Sequence, residues 1–291
     1  MNIGIYSRIF KPEHLGYLKY LVNKLEKNKF NILIHKDYKD QITSSKTIQA
    51  LQTFQQQTEI KKLDLIIAIG GDGTILDTLH FVRDTNIPVA GINMGRLGFL
   101  ADIHKEEIDA LVQAIVQNNY TIEKRNLIFV DSNKATFGEI NFGLNEFTIH
   151  KKDSASMIVI HVYLNGEFLN SFWADGLIIA TPTGSTAYSL SCGGPIIFPT
   201  TSSFVITPVA PHNLNARPLI IPDDTVLSFE VESRSSTFLS SLDSRFITLD
   251  NSYQIAVKKA PFTFNLIRLP ESSYLKTLRG KLRWGEDSRN S

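Results

Sequence analysis

The sequence predicts an α/β region with a mainly parallel sheet, followed by a β-rich region. Two observations predict this order. Up to about residue 120, short apolar runs alternate with segments whose apolar residues recur at helical spacing, as they do in βαβ units. Beyond that point the segments are rich in β-branched and aromatic residues and lose the helical spacing. We therefore expect two domains, one formed by residues 1–120 and one by residues 121–269.

The elements of the first region follow from apolar spacing, taken in chain order. Residues 43–57 carry only a thin apolar stripe, which favours a helix but also fits a mobile connection. The run 63–69 is rich in isoleucine and ends in glycines, as buried strands of parallel sheets do. The predicted strands are 2–6, 31–35, 63–69 and 87–93, and the predicted helices are 12–27, 74–82 and a short one around 108–115.

The second region contains a series of short strand candidates and a strong hairpin signal. Asn165-Gly166 lies between two such runs, and both positions of a type I′ turn require a positive φ. At the end of the chain, Leu275, Leu278, Leu282 and Trp284 predict a terminal helix. The strand candidates are 121–131, 135–150, 156–163, 167–173, 176–180, 203–209, 225–231, 236–241, 246–250, 253–258 and 262–268.

Composition excludes several functional classes. The 291 residues are 43% hydrophobic and carry a net charge of +1, which predicts no broad attraction to nucleic acid or to anionic membranes. Cys192 is the only cysteine, so an internal disulfide and a cysteine-based zinc site are excluded. No apolar run reaches the roughly 18 residues of a membrane span, and no basic leader precedes one. We expect a cytoplasmic protein.

The turn Gly70-Gly71-Asp72-Gly73-Thr74 joins a buried strand to a helix, which makes it a candidate phosphate site. Glycines allow close approach to the backbone, and the free amides of a helix N-terminus favour an anion. A carboxylate at Asp72 would repel a phosphate unless it binds a metal or accepts a proton. A purely structural alternative is that Asp72 caps the following helix.

Two further segments could form a binding surface with this turn. The loop from Gly91 to Leu100 follows the next strand, so both loops are expected at the same sheet edge. The segment 174–195 places eight Ser, Thr and Gly residues within positions 183–194, around Tyr188. Such a surface can hydrogen-bond ribose and amide groups, although a Ser/Thr loop that caps a short helix explains part of it. The pair Asn145-Glu146 ends a strand candidate and is by itself more often structural.

Together these motifs resemble the NAD kinase family. The turn at Asp72, the Gly91 loop, Leu144-Asn145-Glu146 and the long run Thr181-Pro182-Thr183-Gly184-Ser185-Thr186-Ala187-Tyr188-Ser189 occur in the family's order, and Ala210-Pro211-His212 and Asn215-Ala216-Arg217-Pro218-Leu219 extend the match to about residue 221. The GGDGT turn alone would also fit diacylglycerol and sphingosine kinases. The long run is far more specific.

The resemblance implies phosphorylation of the 2′-hydroxyl of the adenosine ribose of NAD by ATP, with Mg²⁺ or another divalent cation, to give NADP. It also implies a Rossmann-like first domain to which residues 270–291 return, a site in the cleft between the domains, and a homodimer or homotetramer. Asp72 would be the general base. The other implied binding residues are Gly71, Gly73, Thr74, Asn145, Glu146, Asp175, Thr186, Ala187, Tyr188, Ser189, Leu190, Ser191 and Ala210.

The sequence also departs from the family pattern. Trp173 stands where many bacterial members carry an arginine, two residues before Asp175. A tryptophan can stack or donate one hydrogen bond but cannot pair with a phosphate. Two alternatives to an NAD kinase stay open at this point. The first is a lipid kinase that uses the same turn, and the second is a sensor that binds NAD or NADP without catalysis.

Overall fold

The computed structural model describes residues 1–152 and 157–283 of the chain. The chain divides into two compact units. The first comprises residues 1–123 together with the chain from residue 265 onward, and the second comprises residues 124–264. An α/β unit with a mostly parallel sheet and an antiparallel β-rich unit confirm the predicted fold class.

The described part of the chain contains twenty strands, eight α-helices and three short 3-10 helices, which are Pro12–His14, Lys105–Glu107 and Gly184–Thr186. The helices are α1 Leu15–Lys27, α2 Lys36–Asp40, α3 Lys46–Gln49, α4 Gln57–Ile60, α5 Asp72–Val82, α6 Ile108–Gln117, α7 Tyr188–Ser191 and α8 Tyr274–Leu282. The strands are β1 Asn2–Tyr6, β2 Asn31–His35, β3 Gln52–Phe54, β4 Leu65–Ile69, β5 Val89–Asn93, β6 Ile103–His104, β7 Thr121–Arg125, β8 Ile128–Ser132, β9 Phe142–Gly143, β10 Glu146–Lys151, β11 Ile158–Leu164, β12 Glu167–Ala174, β13 Gly176–Ala180, β14 Ser203–Val209, β15 Leu219–Pro222, β16 Leu227–Glu232, β17 Thr237–Leu242, β18 Arg245–Asp250, β19 Ile255–Lys259 and β20 Phe264–Arg268.

The sheet of the first unit runs in the order β3-β2-β1-β4-β5-β20-β7, with β6 paired to β5. Strands β1 to β6 and β20 form parallel pairs, and every residue of β4 and β5 is buried. Parallel strands covered by helices on both faces explain these uninterrupted apolar runs. Since β4 and β5 are neighbours, the loops that follow them leave the sheet at the same edge.

The predicted helix over residues 43–57 is wrong. The structure has the short helices α3 and α4 with strand β3 between them, and β3 extends the sheet beside β2. Ile48 and Phe54 are fully buried, but Phe54 is buried from an extended segment. The spacing of Ile48, Leu51 and Phe54 fits one side of a single helix, but it also fits separate short elements. The pairing of residues 52–54 with β2 favours the second arrangement.

The second unit consists of two antiparallel six-stranded sheets, β15-β14-β13-β10-β17-β18 and β12-β11-β16-β19-β8-β9. Phe147 and Ile149 of the first sheet and Ile160 and Val162 of the second belong to one hydrophobic core. The Asn165-Gly166 hairpin is confirmed, since β11 and β12 pair antiparallel across it and the two residues have φ values of 51° and 85°.

The end of the described chain forms helix α8, which belongs to the first unit. Ser273 caps it by accepting a hydrogen bond from the Lys276 N–H, and Leu278 is buried while Leu275 is 47% exposed. Trp284, which the sequence placed in this helix, lies outside the described residues. No helix among the described residues has the length and apolar character needed to cross a membrane.

Candidate active site

The turn at Gly70 connects the buried strand β4 to helix α5 in the first unit. Gly71 is the N-cap of α5 and Asp72 is its first residue. A side chain at position 70 could not fit, because a Cβ there would lie 2.2 Å from Thr74 Oγ1. The turn therefore presents backbone amides at the start of a helix, where an anion is favoured.

The carboxylate of Asp72 does not cap its own helix but binds the loop that follows β5. It accepts hydrogen bonds from three consecutive backbone N–H groups, those of Phe99 at 2.9 Å, Leu100 at 3.0 Å and Ala101 at 2.9 Å. The chain can come this close only because residue 98 is glycine, since a Cβ at Gly98 would lie 1.8 Å from Asp72 Oδ1. The expected proximity of the two loops is thus confirmed.

A cavity of about 490 Å³ opens beside this turn, at the ends of β1, β4 and β5. Gly70, Gly71 and Thr74 form one part of its lining. Three cationic side chains, those of Arg8, Lys11 and Arg96, form another and outnumber the one carboxylate of the lining, that of Glu13. The cavity combines amides and cations, which suits a ligand with several negative charges.

Arg8 is held in place at this cavity by a carboxylate of α5. Its guanidinium pairs with Asp77, and one of its nitrogens also donates to the Gly73 carbonyl at 3.3 Å. The Tyr6 hydroxyl donates to the same Asp77 carboxylate at 3.2 Å, and burial with this anion raises the pKa of Tyr6. Burial lowers the pKa of His14, which also lines the cavity.

In the second unit, Asp243 holds the turn 144–146 in one conformation. The Asp243 carboxylate accepts hydrogen bonds from the backbone N–H groups of Leu144 at 2.8 Å, Asn145 at 2.8 Å and Glu146 at 3.2 Å. The Asp243 N–H donates to the Glu146 carbonyl at 2.9 Å. The residue that precedes this turn must be glycine, because a Cβ at Gly143 would lie 3.0 Å from Asp243 Oδ1.

Thr181 holds the same turn from its carbonyl side. Its hydroxyl donates to the Leu144 carbonyl at 2.6 Å, and its backbone N–H donates to the Asn145 carbonyl at 2.9 Å. Gly184 packs on this carbonyl so closely that a Cβ would lie 2.1 Å from it. With Asp243 opposite, all six backbone polar groups of residues 144–146 are hydrogen-bonded to protein.

The side chain of Glu146 is buried beside the turn that Asp243 and Thr181 hold. Burial, reinforced by the nearby Asp243 carboxylate, raises the pKa of Glu146 to about 8, and the Tyr188 N–H opposes that rise by donating to the Glu146 carboxyl. Glu146 Oε2 has no hydrogen-bond partner among the described residues. Near neutral pH this side chain is therefore mainly a neutral acid with an unused polar atom.

Asp175 and Tyr188 each interact with a residue of strand β10. Asp175 pairs with Lys151, with 2.6 Å between Lys151 Nζ and Asp175 Oδ1. The ring of Tyr188 stacks on His150 at a centroid distance of 5.6 Å and remains 39% exposed. An exposed aromatic face beside paired charges suits a planar ligand with polar substituents.

The hydroxyl groups of the 181–191 segment serve partly within the protein. Ser189 is fully buried and its hydroxyl shares a 2.8 Å hydrogen bond with that of Thr207, while Thr186 Oγ1 donates to the Thr183 carbonyl at 3.0 Å. Ser191 is exposed, and Ala187 and Leu190 are partly exposed. Ala210 is exposed with a positive φ of 45°.

Comparison with known proteins supports one family over both units. The ATP-NAD kinase N-terminal domain matches residues 11–120, and the ATP-NAD kinase C-terminal domain matches residues 144–269. A protein of Cytophaga hutchinsonii named NAD kinase is 46% identical over 292 residues, covering 100% of both chains. The chain belongs to the NAD kinase family. A Flavobacterium psychrophilum member named NAD kinase is 45% identical, again over 100% of both chains.

Solved structures of the NAD kinase family share the fold. Yeast NADH kinase complexed with NADH superposes with a TM-score of 0.88 and 25% identity, covering 100% of this chain and 90% of that one. An NAD kinase from Archaeoglobus fulgidus in complex with ATP superposes with a TM-score of 0.77 and 23% identity, covering 97% and 99%. The second likeness shows the fold alone.

The family motifs carry most of the predicted site residues, but sequence reasoning missed the side chains that hold them. Gly71 to Thr74 lie in the first unit, whereas Asn145, Glu146, Asp175, the segment 186–191 and Ala210 lie in the second. Asp243 and Lys151 were not singled out. Asp243 follows the turn it holds by about 98 residues, so no local spacing could reveal the contact.

Proposed function

We propose that this chain transfers the γ-phosphoryl group of ATP to the 2′-hydroxyl of the adenosine ribose of NAD, giving NADP and ADP. Relatives named NAD kinase that are 46% and 45% identical over the whole chain support this reaction. The single observation that carries the mechanism is the Asp72 carboxylate, held by three N–H groups at a glycine turn beside a cationic cavity.

The donor binds at the glycine turn in this proposal. The amides at the start of α5 and the side chains of Arg8, Lys11 and Arg96 take the ATP phosphates. No group of three or more His, Cys, Asp or Glu side chains in the described part of the chain is placed to hold a metal ion. Mg²⁺ commonly keeps several waters and binds through substrate phosphates, so in this proposal the divalent cation enters with ATP as part of the substrate.

Asp72 acts as the general base. Its Oδ1 accepts from Leu100 and Ala101, but Oδ2 accepts only from Phe99. A carboxylate oxygen has two lone pairs in the carboxylate plane, so Oδ2 can take the proton of the 2′-hydroxyl. The ribose oxygen forms the new P–O bond as the bond from the γ-phosphorus to ADP breaks.

NAD is bound by the residues of the second unit. Asn145 and Glu146 take ribose or adenine groups, and Asp175 faces the nicotinamide side. Tyr188 offers a partly exposed ring, and the neighbouring residues form the pocket wall. The remaining proposed contacts are Thr186, Ala187, Leu190, Ser191 and Ala210, and the fully buried Ser189 supports this wall from behind through its hydrogen bond with Thr207.

The two alternatives are less well supported. The match over both units is to NAD kinase domains, and curated relatives over the full chain carry the name NAD kinase, which does not favour a lipid kinase. A non-catalytic sensor would have no need of a carboxylate braced at the phosphate turn.

The decisive experiment is a NADP-formation assay. Purified protein is given MgATP and NAD, and NADP is measured with a dehydrogenase specific for it. Parallel arms replace NAD by NADH, diacylglycerol, sphingosine or fructose 6-phosphate, and ATP by polyphosphate, or omit the divalent cation. NADP formation supports the proposal. NAD binding without turnover would favour the sensor, and phosphorylation of a lipid would favour the lipid kinase.

A homo-oligomer and a cytoplasmic location complete the proposal. The second unit exposes large apolar side chains, among them Phe246 at 81% and Phe198 at 50%, which a subunit contact would cover. Light scattering coupled to gel filtration would give the mass in solution, and a monomer at micromolar concentration would contradict this part. Fractionation of the cells that make the protein tests its location.

A further inference from the structure

We propose that Asp243 is a positioning residue which, by staying ionised under the 144–146 turn, keeps Glu146 neutral so that Glu146 donates a hydrogen bond to the nucleotide. This inference rests on the proposed function, because it takes Glu146 to be a contact of NAD. It adds the direction of that hydrogen bond and the residue that sets it.

The geometry around Asp243 favours its ionised form. Asp243 Oδ1 accepts from Asn145 and Glu146, and Oδ2 accepts from Leu144. Both oxygens thus face N–H donors. A proton on Oδ1 would cost one of its two hydrogen bonds, and a proton on the second lone pair of Oδ2 would weaken Oδ2 as the acceptor for Leu144, so the three donors favour the charged form.

Arg245 adds a positive charge that acts on Asp243. Its guanidinium donates to the carbonyls of Ile140 and Phe142, the latter at 2.7 Å, which places it at the strand that leads into the turn. Desolvation raises the pKa of Asp243, and the three backbone N–H donors and then the Coulomb attraction of Arg245 oppose that rise. Three N–H donors and a cation act on Asp243, whereas one N–H donor acts on Glu146, so we place the negative charge of these two carboxyl groups on Asp243.

Glu146 lies in the opposite situation. Its carboxyl is buried, receives one backbone N–H from Tyr188 and has no described cation beside it. The charged group that acts on it is the anion of Asp243. The Tyr188 phenol, whose pKa is itself raised by burial and by Cys192, is neutral over the same pH range. Two neighbouring carboxyl groups repel each other when both are ionised, so one of them keeps its proton. Here the protonated group is Glu146.

The oxygen Glu146 Oε2 is available to carry this proton and to donate it in a hydrogen bond to a ligand. Oε2 is buried and has no hydrogen-bond partner among the described residues. A neutral carboxyl can direct its O–H to an acceptor on a ligand, such as a ribose oxygen or a ring nitrogen of adenine. An ionised Glu146 could only accept, and it would also repel the pyrophosphate of NAD.

The first test follows the protonation of Glu146 directly. Protein labelled with ¹³C at the glutamate carboxyl carbons is titrated by NMR from pH 5 to pH 9.5 without ligand. The resonance missing in Glu146→Gln identifies the group, and we expect it to titrate near pH 8. A titration below pH 6 would overturn the proposal whatever reaction the protein catalyses.

The second test measures NAD affinity by calorimetry across the same pH range. If only the neutral form binds, one unit above the pKa leaves about one part in eleven competent, so the Kd for NAD should rise about tenfold between pH 7 and pH 9. Glu146→Gln, whose amide is a permanent donor, should show no rise in its Kd for NAD between pH 7 and pH 9, whatever its affinity at pH 7. Equal pH dependence in both proteins would overturn the inference.

The third test separates positioning by Asp243 from a merely structural role. Asp243→Asn removes the charge, so the Glu146 resonance should titrate at lower pH and the rise in Kd should begin earlier. A variant that only loosened the fold would lower affinity at every pH without moving the midpoint, and that result would contradict the proposal. NADP formation at pH 7 is recorded alongside, because absence of turnover with intact NAD binding would count against the proposed function and not against this inference.

Discussion

The Asp72 carboxylate accepts a hydrogen bond from the Ala101 N–H at 2.9 Å and so joins the loops that follow two neighbouring parallel strands. This contact and its two companions orient the carboxylate before any substrate arrives. A general base that is already oriented avoids the cost of ordering during the reaction.

Replacing Asp72 by asparagine tests this role. We expect kcat to fall about 10²–10⁴-fold, the usual contribution of a general base, while the Kd for NAD stays within about threefold. The introduced amide would also turn its NH₂ group toward an N–H donor, so the free energy of unfolding should fall by ~1–2 kcal/mol. Asp84→Asn, at an exposed position beyond α5, is the control. Equal losses in kcat and NAD affinity would mean that Asp72 binds or shapes the site instead.

Glycine at position 98 should be essential for the same contact. Gly98→Ala would place a Cβ 1.8 Å from Asp72 Oδ1, so the carboxylate or the loop must move. We expect at least about tenfold lower kcat and a lower melting temperature. Gly16→Ala on α1 meets nothing within 4 Å and should keep the kcat of the wild type. Equal kcat and melting temperature in the two variants would mean that the Asp72 contact does not require glycine at position 98.

Arg8 should act on ATP and not on NAD. Its guanidinium is fixed by Asp77 at the cationic cavity. Arg8→Gln removes one charge-assisted contact to phosphate, so the KM for ATP should rise about tenfold with the KM for NAD unchanged. Lys27→Gln, an exposed change on α1, controls for the lost charge. A rise in the KM for NAD alone would place the donor phosphates elsewhere.

Thr181 should stabilise the 144–146 turn through its buried hydroxyl. Thr181→Val keeps the shape but leaves the Leu144 carbonyl and the Gly184 N–H without this partner. We expect the free energy of unfolding in urea to fall by ~1–3 kcal/mol and the KM for NAD to rise. Thr200→Val, at an exposed position, should change neither quantity. An unchanged KM in a destabilised Thr181→Val would separate the turn from NAD binding.

Glu146 should make stability depend on pH. Its folded pKa of about 8 lies above its ordinary value of 4.5, so the folded state binds the proton more tightly than the unfolded state does. The resulting stability is full below pH 4.5 and is lost as the pH rises to about 8. Glu146→Gln removes this loss, so its unfolding free energy relative to wild type should increase by ~1–3 kcal/mol from pH 5 to pH 9. A constant difference would contradict the raised pKa.

The sequence predicted the parts of the fold in which the apolar pattern has one solution. The isoleucine run of β4 with its terminal glycines and the spacing in α5 fit no other arrangement, and both elements were found. Phe54 shows the limit, because its three-residue strand exists only through pairing with β2. The local sequence of residues 52–54 cannot show that the unpaired edge of β2 is available for pairing.

The site was predictable in its motifs but not in its supports. Asp72 and Glu146 stand in recognisable local patterns, whereas Asp243 makes its contacts with backbone atoms about 98 residues earlier. Because every residue type except proline has a backbone N–H, these contacts do not require particular residue types at positions 144–146. The pairing of Asp175 with Lys151 is equally non-local, since it depends on antiparallel pairing of β10 with β13.

The complete hydrogen bonding of the 144–146 backbone has a consequence for substrate choice. With every N–H and carbonyl of the turn already bound to protein, recognition of a ligand by this turn falls mainly to the side chains at 145 and 146. Exchanging those two side chains would then alter which dinucleotide is accepted without remodelling the chain around them. New cofactor preferences could therefore be introduced at these two positions with little loss of foldability.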